Sequence, residues 1–538
     1  MQNFLLNAGD YFPISSGLCC SCLNHTKWPL LCCWLEECFD RDLSTSATQQ
    51  PSQSLDHDQI YAESLPDSKN LFEDPSFPCS DESVCFDRPL KPFVWKRPHE
   101  IVPDPQFVID GFTRFDVRQG ELGNCWFLAA VANLTLYPSL FEKVVSPGQG
   151  FGAEYRGFFR FKFWRYGHWV DVMVDDRLPT CDGKLVFMHS GDNNEFWSAL
   201  LEKAYAKLCG SYEAMSVGTT IEAMEDLTGG LTEMIDLRAP SSDLLTVVTK
   251  AFELGSLLAA TLDPDPNNFE AGVPSGLIRG HAYSITGFAW VNTAFDYGKP
   301  NNIALLRLRN PWGNEVEWRG AWSDSSFEWS FLSPKKRQEL GLVVAADGEF
   351  WISFTDFINN FEKLEICHLN PETACLVHEP NHPTLTWESQ CFDGSWIPGM
   401  TAGGCRNYLY TFARNPQYLV TLADPDEGDQ EETCTCIIAL LQKFQRRDRS
   451  IGADLLTIGF AVYKVDENID LEHGLTESFF RTHASVGRSS FMNLRGVCCR
   501  FRLLPGTYVI VPSTFEPNQA GDFLLRILTE KKCDNGLL

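Results

Sequence analysis

The sequence predicts an α+β fold of three folded units behind an irregular N-terminal segment, and three observations carry that reading. At 538 residues the chain is too long for one core of the usual 100–200 residues, roughly. Up to about residue 368, amphipathic helical periods are mixed with alternating, strand-like runs. From about residue 369 the chain breaks into short alternating segments separated by Gly, Pro and Asn, the spacing of a β-sandwich.

Taken in order, residues 1 to about 60 read as non-globular. A patch rich in Cys and Trp gives way to residues 43–58, rich in Ser, Thr, Gln and Asp without apolar period, which read as a linker. From Leu71 the pattern turns dense and aromatic, with Pro-bounded turns through LFEDPSFP and KPFVWKRP. Residues 121–145 carry a helical period, with Gly123–Asn124 as the loop-to-helix junction ahead of Cys125. Residues 159–176 alternate as strands, and 195–208 form a second amphipathic helix. Beyond the Gly229–Gly230 turn the sequence predicts one helix and then strands at HAYSITGFAWV and IALLRLRNPW. The sandwich strands are expected at YLYTFAR, QYLVTLA, TCIIALLQKF, IGFAVYKV, GTYVIVPS and DFLLRIL.

A net charge of −27 excludes a general nucleic-acid binder, which needs a basic face to displace counterions. It leaves many carboxylates for a hard cation, although acidity also serves solubility alone. Twenty cysteines do not form a secreted disulfide framework here. Six of them (Cys19, Cys20, Cys22, Cys32, Cys33, Cys38) crowd the first forty residues, and the rest are scattered. The first Lys is Lys27, so a basic signal-peptide start is missing, and no apolar run approaches the roughly 20 residues of a membrane span. A reducing, cytoplasmic compartment is expected, where a cysteine matters by its reactivity.

The strongest chemical signal is QGELGNCWFLAA, residues 119–130. A nucleophilic thiol works as the thiolate, and a helix N-terminus favours that charge. Cys125 stands at such a junction. Six residues earlier, the Gln119 amide can join the Cys125 backbone N–H in an oxyanion hole. A general base is then required, and His281 opens a strand behind Gly280. In RLRNPWGNEVEW, Asn310 can fix the tautomer of the imidazole while Trp312 shields the pair from water. The order Cys125, His281, Asn310 is that of papain-like proteases.

The residues carrying the closest resemblance are LFEDPSFP, PFVWKRP, QGELGNCW, NEFWSALLEKAYAKL, SYEAM, EDLTGG, RNPWGNEVEWRGAWSD, DGEFWISFTDF and LEICHLNP. Over residues 65 to 532 the chain resembles the catalytic large subunit of calpains. The resemblance implies a papain-like core of two lobes followed by a C2-like β-sandwich. Residues 1–64 would be the variable segment and linker, 65–220 the lobe of Cys125, 221–368 the lobe of His281 and Asn310, and 369–538 the sandwich. It also implies calcium as cofactor and protein substrates, cut at exposed linkers. One calcium would be held by Asp116 and Glu195 with the carbonyls of Ile109 and Gly111. A second would be held by Glu317, Asp324, Asp347 and Glu349 with a carbonyl near Ala345. Carboxylates with carbonyls are the oxygen set that calcium takes, and acids left unpaired would repel one another until it arrived. Arg114 resembles the arginine that links the two lobes, with Glu349 its expected partner.

The chain departs from the family pattern after the sandwich, where a penta-EF-hand region is expected to be missing, and with it pairing to a small regulatory subunit. The segment DPDPNNFEAGVP, residues 263–274, lacks the Gly and Glu of an EF-hand loop. An acidic loop, 424–432, and a basic stretch, 443–449, resemble the pair that calpains use against phospholipid or the protease core. The N-terminal cysteines have three readings: acylation beside Trp28 and Trp34, giving partial membrane association; a zinc site including His25; or no function. Two rival activities remain, an inert calpain-like scaffold and an acyltransferase with the same Cys–His pair.

Overall fold

The computed structural model describes residues 71–85, 92–266, 268, 270–293, 301–377, 387–423, 432–444, 446, 454–466, 468–531 and 534–538. The six N-terminal cysteines, all but one residue of the expected acidic loop and most of the basic stretch lie outside these.

The first core is helical and aromatic. The expected helix over 121–145 is two helices, Cys125–Leu134 and Pro138–Val144. Proline disfavours helical backbone in the residue before it, and Tyr137 is accordingly extended. Pro138 then opens the second helix, where its missing N–H costs nothing. Every residue of Cys125–Leu134 is buried, so it is the central rod of this core rather than a surface helix. Around it pack the Trp197–Cys209 helix and the hairpin Phe158–Arg165/His168–Asp175, at the places where the sequence predicts them.

Next comes the Thr220–Thr228 helix, ended by Gly229 in left-handed backbone with φ of 68°. The strand Leu231–Asp236 follows directly, one the sequence did not predict, and then the expected helix, Leu244–Glu253, ahead of the expected strands. An antiparallel sheet of six strands is built in the order Glu349–Ser353, Asn301–Arg309, His281–Thr293, Leu257–Leu262, Lys363–His368, Leu231–Asp236. Side chains alternate across it. Leu257 and Ala259 join the helical core, whereas Leu258, Ala260 and Leu262 face a second core against Leu244, Val248 and Phe357.

The C-terminal part is a sandwich of two antiparallel sheets. One sheet runs Glu388–Trp396, Gly521–Thr529, Cys434–Gln442, Gly496–Leu503, and the other is centred on Ile458–Val465, Gly506–Thr514 and Tyr418–Leu422. All nine residues of Cys434–Gln442 are buried. Its even positions, Cys436, Ile438 and Leu440, fill the space between the sheets. Ile437, Ala439 and Leu441 pack on Trp164, Leu231 and Leu254. Burial on both faces explains the unbroken apolar run. YLYTFAR, expected as a strand, instead holds the short helix Leu409–Phe412. Only Phe412 of that turn is buried, against Tyr463 and Phe480, so its aromatics do not alternate as a strand requires.

Buried ion pairs fasten the sandwich to the rest. Arg495 bonds Glu222, Glu225 and Asp226 on the Thr220–Thr228 helix, Arg526 bonds Glu225, and Arg446 bonds Glu222. Arg500 pairs with Glu233 on the six-stranded sheet, where Glu233 also holds His368.

Candidate active site

Cys125 begins the buried helix, so its backbone N–H lies at the helix N-terminus. The junction is braced from behind. Asn124 Nδ2 donates to Glu202 Oε1 at 2.7 Å, and Met188 N donates to Glu202 Oε2 at 2.9 Å. Burial pushes the Glu202 carboxyl up to about 8. The described cysteines other than Cys125 are free thiols. Gln119 donates from Nε2 to Leu122 O at 2.9 Å, and its backbone N–H reaches Pro311 O at 3.2 Å, next to Asn310.

His281 opens the central strand of the sheet immediately after Gly280, whose φ of 65° turns the chain into the strand. The imidazole is wholly buried, and Nε2 lies 2.8 Å from Asn310 Oδ1. Asn310 is held at both ends of its amide: Nδ2 donates to Val316 O at 3.0 Å, and Oδ1 accepts from Trp312 N at 3.0 Å. With Oδ1 thereby facing the ring, Nε2 carries the proton and Nδ1 keeps the lone pair that can accept one. The Trp312 ring covers the imidazole at 4.9 Å between centroids. Burial pulls the imidazole down to about 4, so it is neutral near pH 7. Cys125 and Ala282, the residue after His281, belong to one continuous core. Asn133 of the cysteine helix also donates to Leu258 O in the sheet, at 2.7 Å.

The carboxylates singled out in the sequence fall into two groups. Glu195 accepts from Ile109 N at 2.7 Å and from Ser190 Oγ at 2.6 Å. Asp110 and Gly111 both have positive φ, curling the 109–111 backbone beside it. Asp116 accepts from Thr113 N. Burial first, then the Asp116 charge, lifts Glu195 to about 7. In the second group, Glu317 accepts from Gly348 N, Asp324 from Ala345 N and Asp347 from Glu349 N. Glu317 is raised to about 7 and Asp324 to about 6, by burial and then by neighbouring acids, Asp347 among them. Glu349 differs: Arg114 pairs with both its oxygens and holds it below the usual range against the cost of burial. Among the described residues no three acidic, His or Cys side chains converge closely enough to hold a metal in this arrangement.

Two residues of this region escaped the sequence reading. Arg309, nine-tenths buried or more, donates to Asp347 O at 2.7 Å and to Val117 O at 3.4 Å, joining the acid loop to the segment before Gln119. Its signal was present in RLRNPW, where Arg307 and Arg309 interrupt an apolar strand two residues apart. Glu270 approaches His281 Nδ1 at 4.0 Å, and nothing in its loop sequence marks it.

Comparison with known proteins matches residues 72–368 to the calpain family of cysteine proteases, and residues 392–528 to domain III of the calpain large subunit. The chain is 53% identical to calpain-A of Drosophila melanogaster over 468 residues, covering 86% of this chain and 56% of that protein. It is 52% identical to calpain clp-1 of Caenorhabditis elegans, covering 86% and 59%. Against the calpain-1 catalytic subunit of Sus scrofa it is 49% identical, covering 89% and 67%. The chain thus spans little more than half the length of the first relatives it matches.

Proposed function

The chain belongs to the calpain family of cysteine proteases, and from that premise we propose that it is a calcium-dependent, intracellular cysteine endopeptidase making limited cuts in protein substrates. The observation that carries the reading is the fixed His281–Asn310 pair, which leaves Nδ1 as the accepting nitrogen in the same core as Cys125.

In this reading the Cys125 thiol passes its proton to His281 Nδ1 and attacks the scissile carbonyl as thiolate. The oxyanion is met by the Cys125 N–H and, once turned from Leu122, the Gln119 amide. The imidazolium, held by Asn310 and shielded by Trp312, then protonates the leaving amine. Water attacks the thioester with His281 again as base, regenerating the thiol.

Calcium fits the donor sets at both acid groups. Glu195 and Asp116 with the Ile109 and Gly111 carbonyls would hold one ion. Glu317, Asp324 and Asp347 with the Ala345 carbonyl would hold another, joined by Glu349 if Arg114 shares it. The supporting sign is that Glu195, Glu317 and Asp324 are all raised by burial and nearby acids, a strain that a divalent cation relieves. The ion would supply positive charge that draws each acid group together, and so align the two lobes.

We assign residues 65–220 and 221–368 to papain-like lobes and 369–538 to a C2-like sandwich whose charged loops serve contact with phospholipid or with the protease core. The deciding experiment is casein cleavage by reduced protein with and without calcium. The expected result is calcium-dependent cleavage abolished in a folded Cys125→Ala variant. Cleavage retained by that variant overturns the nucleophile, and none by the parent protein favours the inert scaffold.

A further inference from the structure

Glu270 is the one described carboxyl that the proposed reaction leaves unused beside the proton-accepting nitrogen. It stands at the foot of a small hairpin in which Val273 N donates to Leu277 O and Arg279 N to Ala271 O, at 2.9 and 3.0 Å. The hairpin is pinned to the acid loop by Arg319 N, which donates to Ser275 O at 2.9 Å. Glu270 is therefore carried by ordered backbone and placed one residue before the paired segment.

Its Oε1 is buried and accepts no hydrogen bond, and His281 Nδ1, 4.0 Å away, is likewise buried without a partner. Two opposed polar atoms, each lacking a bond, mark a gap that a third group is shaped to enter. In the proposed reaction the Cys125 thiol must reach Nδ1 to pass its proton there. The leaving amine must also come to Nδ1, since that nitrogen returns its proton. A carboxyl within 4.0 Å of Nδ1 consequently borders the path of the residues that follow the scissile bond. No cationic side chain among the described residues pairs with Glu270, since its approach to His281 is an ion pair only when the imidazole is protonated. Burial without a cation pushes the carboxyl up to about 7, so a positive group entering beside it would be favoured.

We propose that Glu270 is a specificity-determining residue that selects substrates with a lysine or arginine at the first or second position after the scissile bond. About a fifth of its side chain stays open to solvent, the route by which a long basic side chain would reach the carboxyl. The arrangement is selective because an acidic side chain there would face a carboxylate in a poorly solvated place, a repulsion added to the loss of attraction.

This inference rests on the endopeptidase reading, and its test separates the two. The full chain, reduced and supplied with calcium, is given peptides identical up to the scissile bond and carrying Lys, Gln or Glu at each of the next two positions. Values of kcat/KM are compared within each enzyme, so that loss of overall activity cancels. The parent is expected to favour Lys over Glu by about tenfold or more at one of the positions. Glu270→Gln should bring the ratio within about twofold, and Glu270→Lys should invert it. Peptide hydrolysis by the parent with no Lys-over-Glu preference overturns the inference while leaving the protease reading intact. A Glu270→Gln variant that slows all peptides equally and keeps the ratio also overturns it, assigning Glu270 to positioning the imidazole. No hydrolysis of any peptide by the parent defeats the protease reading, and the inference with it.

Discussion

Arg114 and Glu349 meet in a two-pronged ion pair, Nε and Nη2 lying 2.6 and 2.7 Å from the two carboxylate oxygens. Arg114 comes from a short turn just ahead of the cysteine helix, and Glu349 opens the edge strand of the six-stranded sheet. Planar guanidinium on carboxylate fixes direction as well as distance, so this pair sets the angle between the two halves of the site.

Glu349→Gln should lower stability by about 1–3 kcal/mol at pH 7, the worth of charge-assisted bonds partly screened from water. The folded carboxyl lies below its ordinary range, so its contribution is complete above the unfolded value of about 4.3 and is lost as pH falls through the folded value. Urea melts of parent and variant should thus differ at pH 7 and converge as pH drops below about 4. A gap that persisted undiminished in acid would show that the pair is not its source.

Asp226 is wholly buried and takes bonds from Arg165, Tyr205 and twice from Arg495. Asp226→Asn removes the carboxylate that Arg165 pairs with and one of the three that Arg495 pairs with, and removing one partner of a buried pair costs about 3–5 kcal/mol. The variant should lose about 3 kcal/mol, and its sandwich should melt apart from the remainder in calorimetry. Added salt should change little, since screening does not reach a dry pair. A single, unshifted transition would contradict the assignment of this cluster as the fastening.

In the proposed reaction Asn310 would orient the base without meeting substrate. Asn310→Ala should reduce kcat by about 10–100-fold, the usual cost of losing an orienting partner, while KM moves little. Loss as complete as that of His281→Ala would give Asn310 a more direct part.

The residues assigned to the proposed reaction are each marked by local sequence: a Gly–Asn junction before Cys125, a Gly before His281, and Asn310 between Arg309 and a proline. Strands such as Cys434–Gln442 were legible for the same reason. Illegible features depend on distant partners. The break at Pro138 is the exception, a local signal that the helical period of 121–145 overrode. The order of strand and helix after Gly230 was hidden because Leu231–Asp236 is a strand only by pairing with Lys363–His368. Arg495 reads as an ordinary surface arginine until the Thr220–Thr228 helix is packed against it, and Glu270 acquires meaning only once a hairpin carries it to His281.

Glu202 offers a contrasting pH effect. Its folded carboxyl, near 8, lies above the unfolded value of about 4.3, so the native state binds the extra proton and stability falls as pH rises between them. When protonated, Glu202 can donate to Asn124 Oδ1, a buried atom without a bond in the present orientation of that amide. Glutamine reproduces that donor at any pH. Glu202→Gln should match the parent at about pH 4 and exceed it by about 4–5 kcal/mol at pH 8. A variant less stable at both would mean that the ionised carboxylate is the form the fold requires.

Calcium binding at the Glu317, Asp324 and Asp347 group should be coupled to proton release. Glu317 titrates near 7 and Asp324 near 6, because each is buried and each feels the other acids. A cation takes the charged carboxylates only, so near pH 6 it must displace protons, whereas near pH 8 the sites are already ionised. Among the described residues the acids do not converge on one point, so the 315–325 and 343–349 loops would have to close around an ion bound there. The calcium concentration for half-maximal binding should therefore fall several-fold from pH 6 to pH 8. Calorimetry at pH 6.5 should give heats that depend on the ionisation enthalpy of the buffer, reporting a fraction of a proton to about one proton released per ion at this group. Asp324→Asn should weaken binding and diminish the proton count together. Heats independent of buffer, with an affinity flat across this range, would place the calcium on carboxylates other than these.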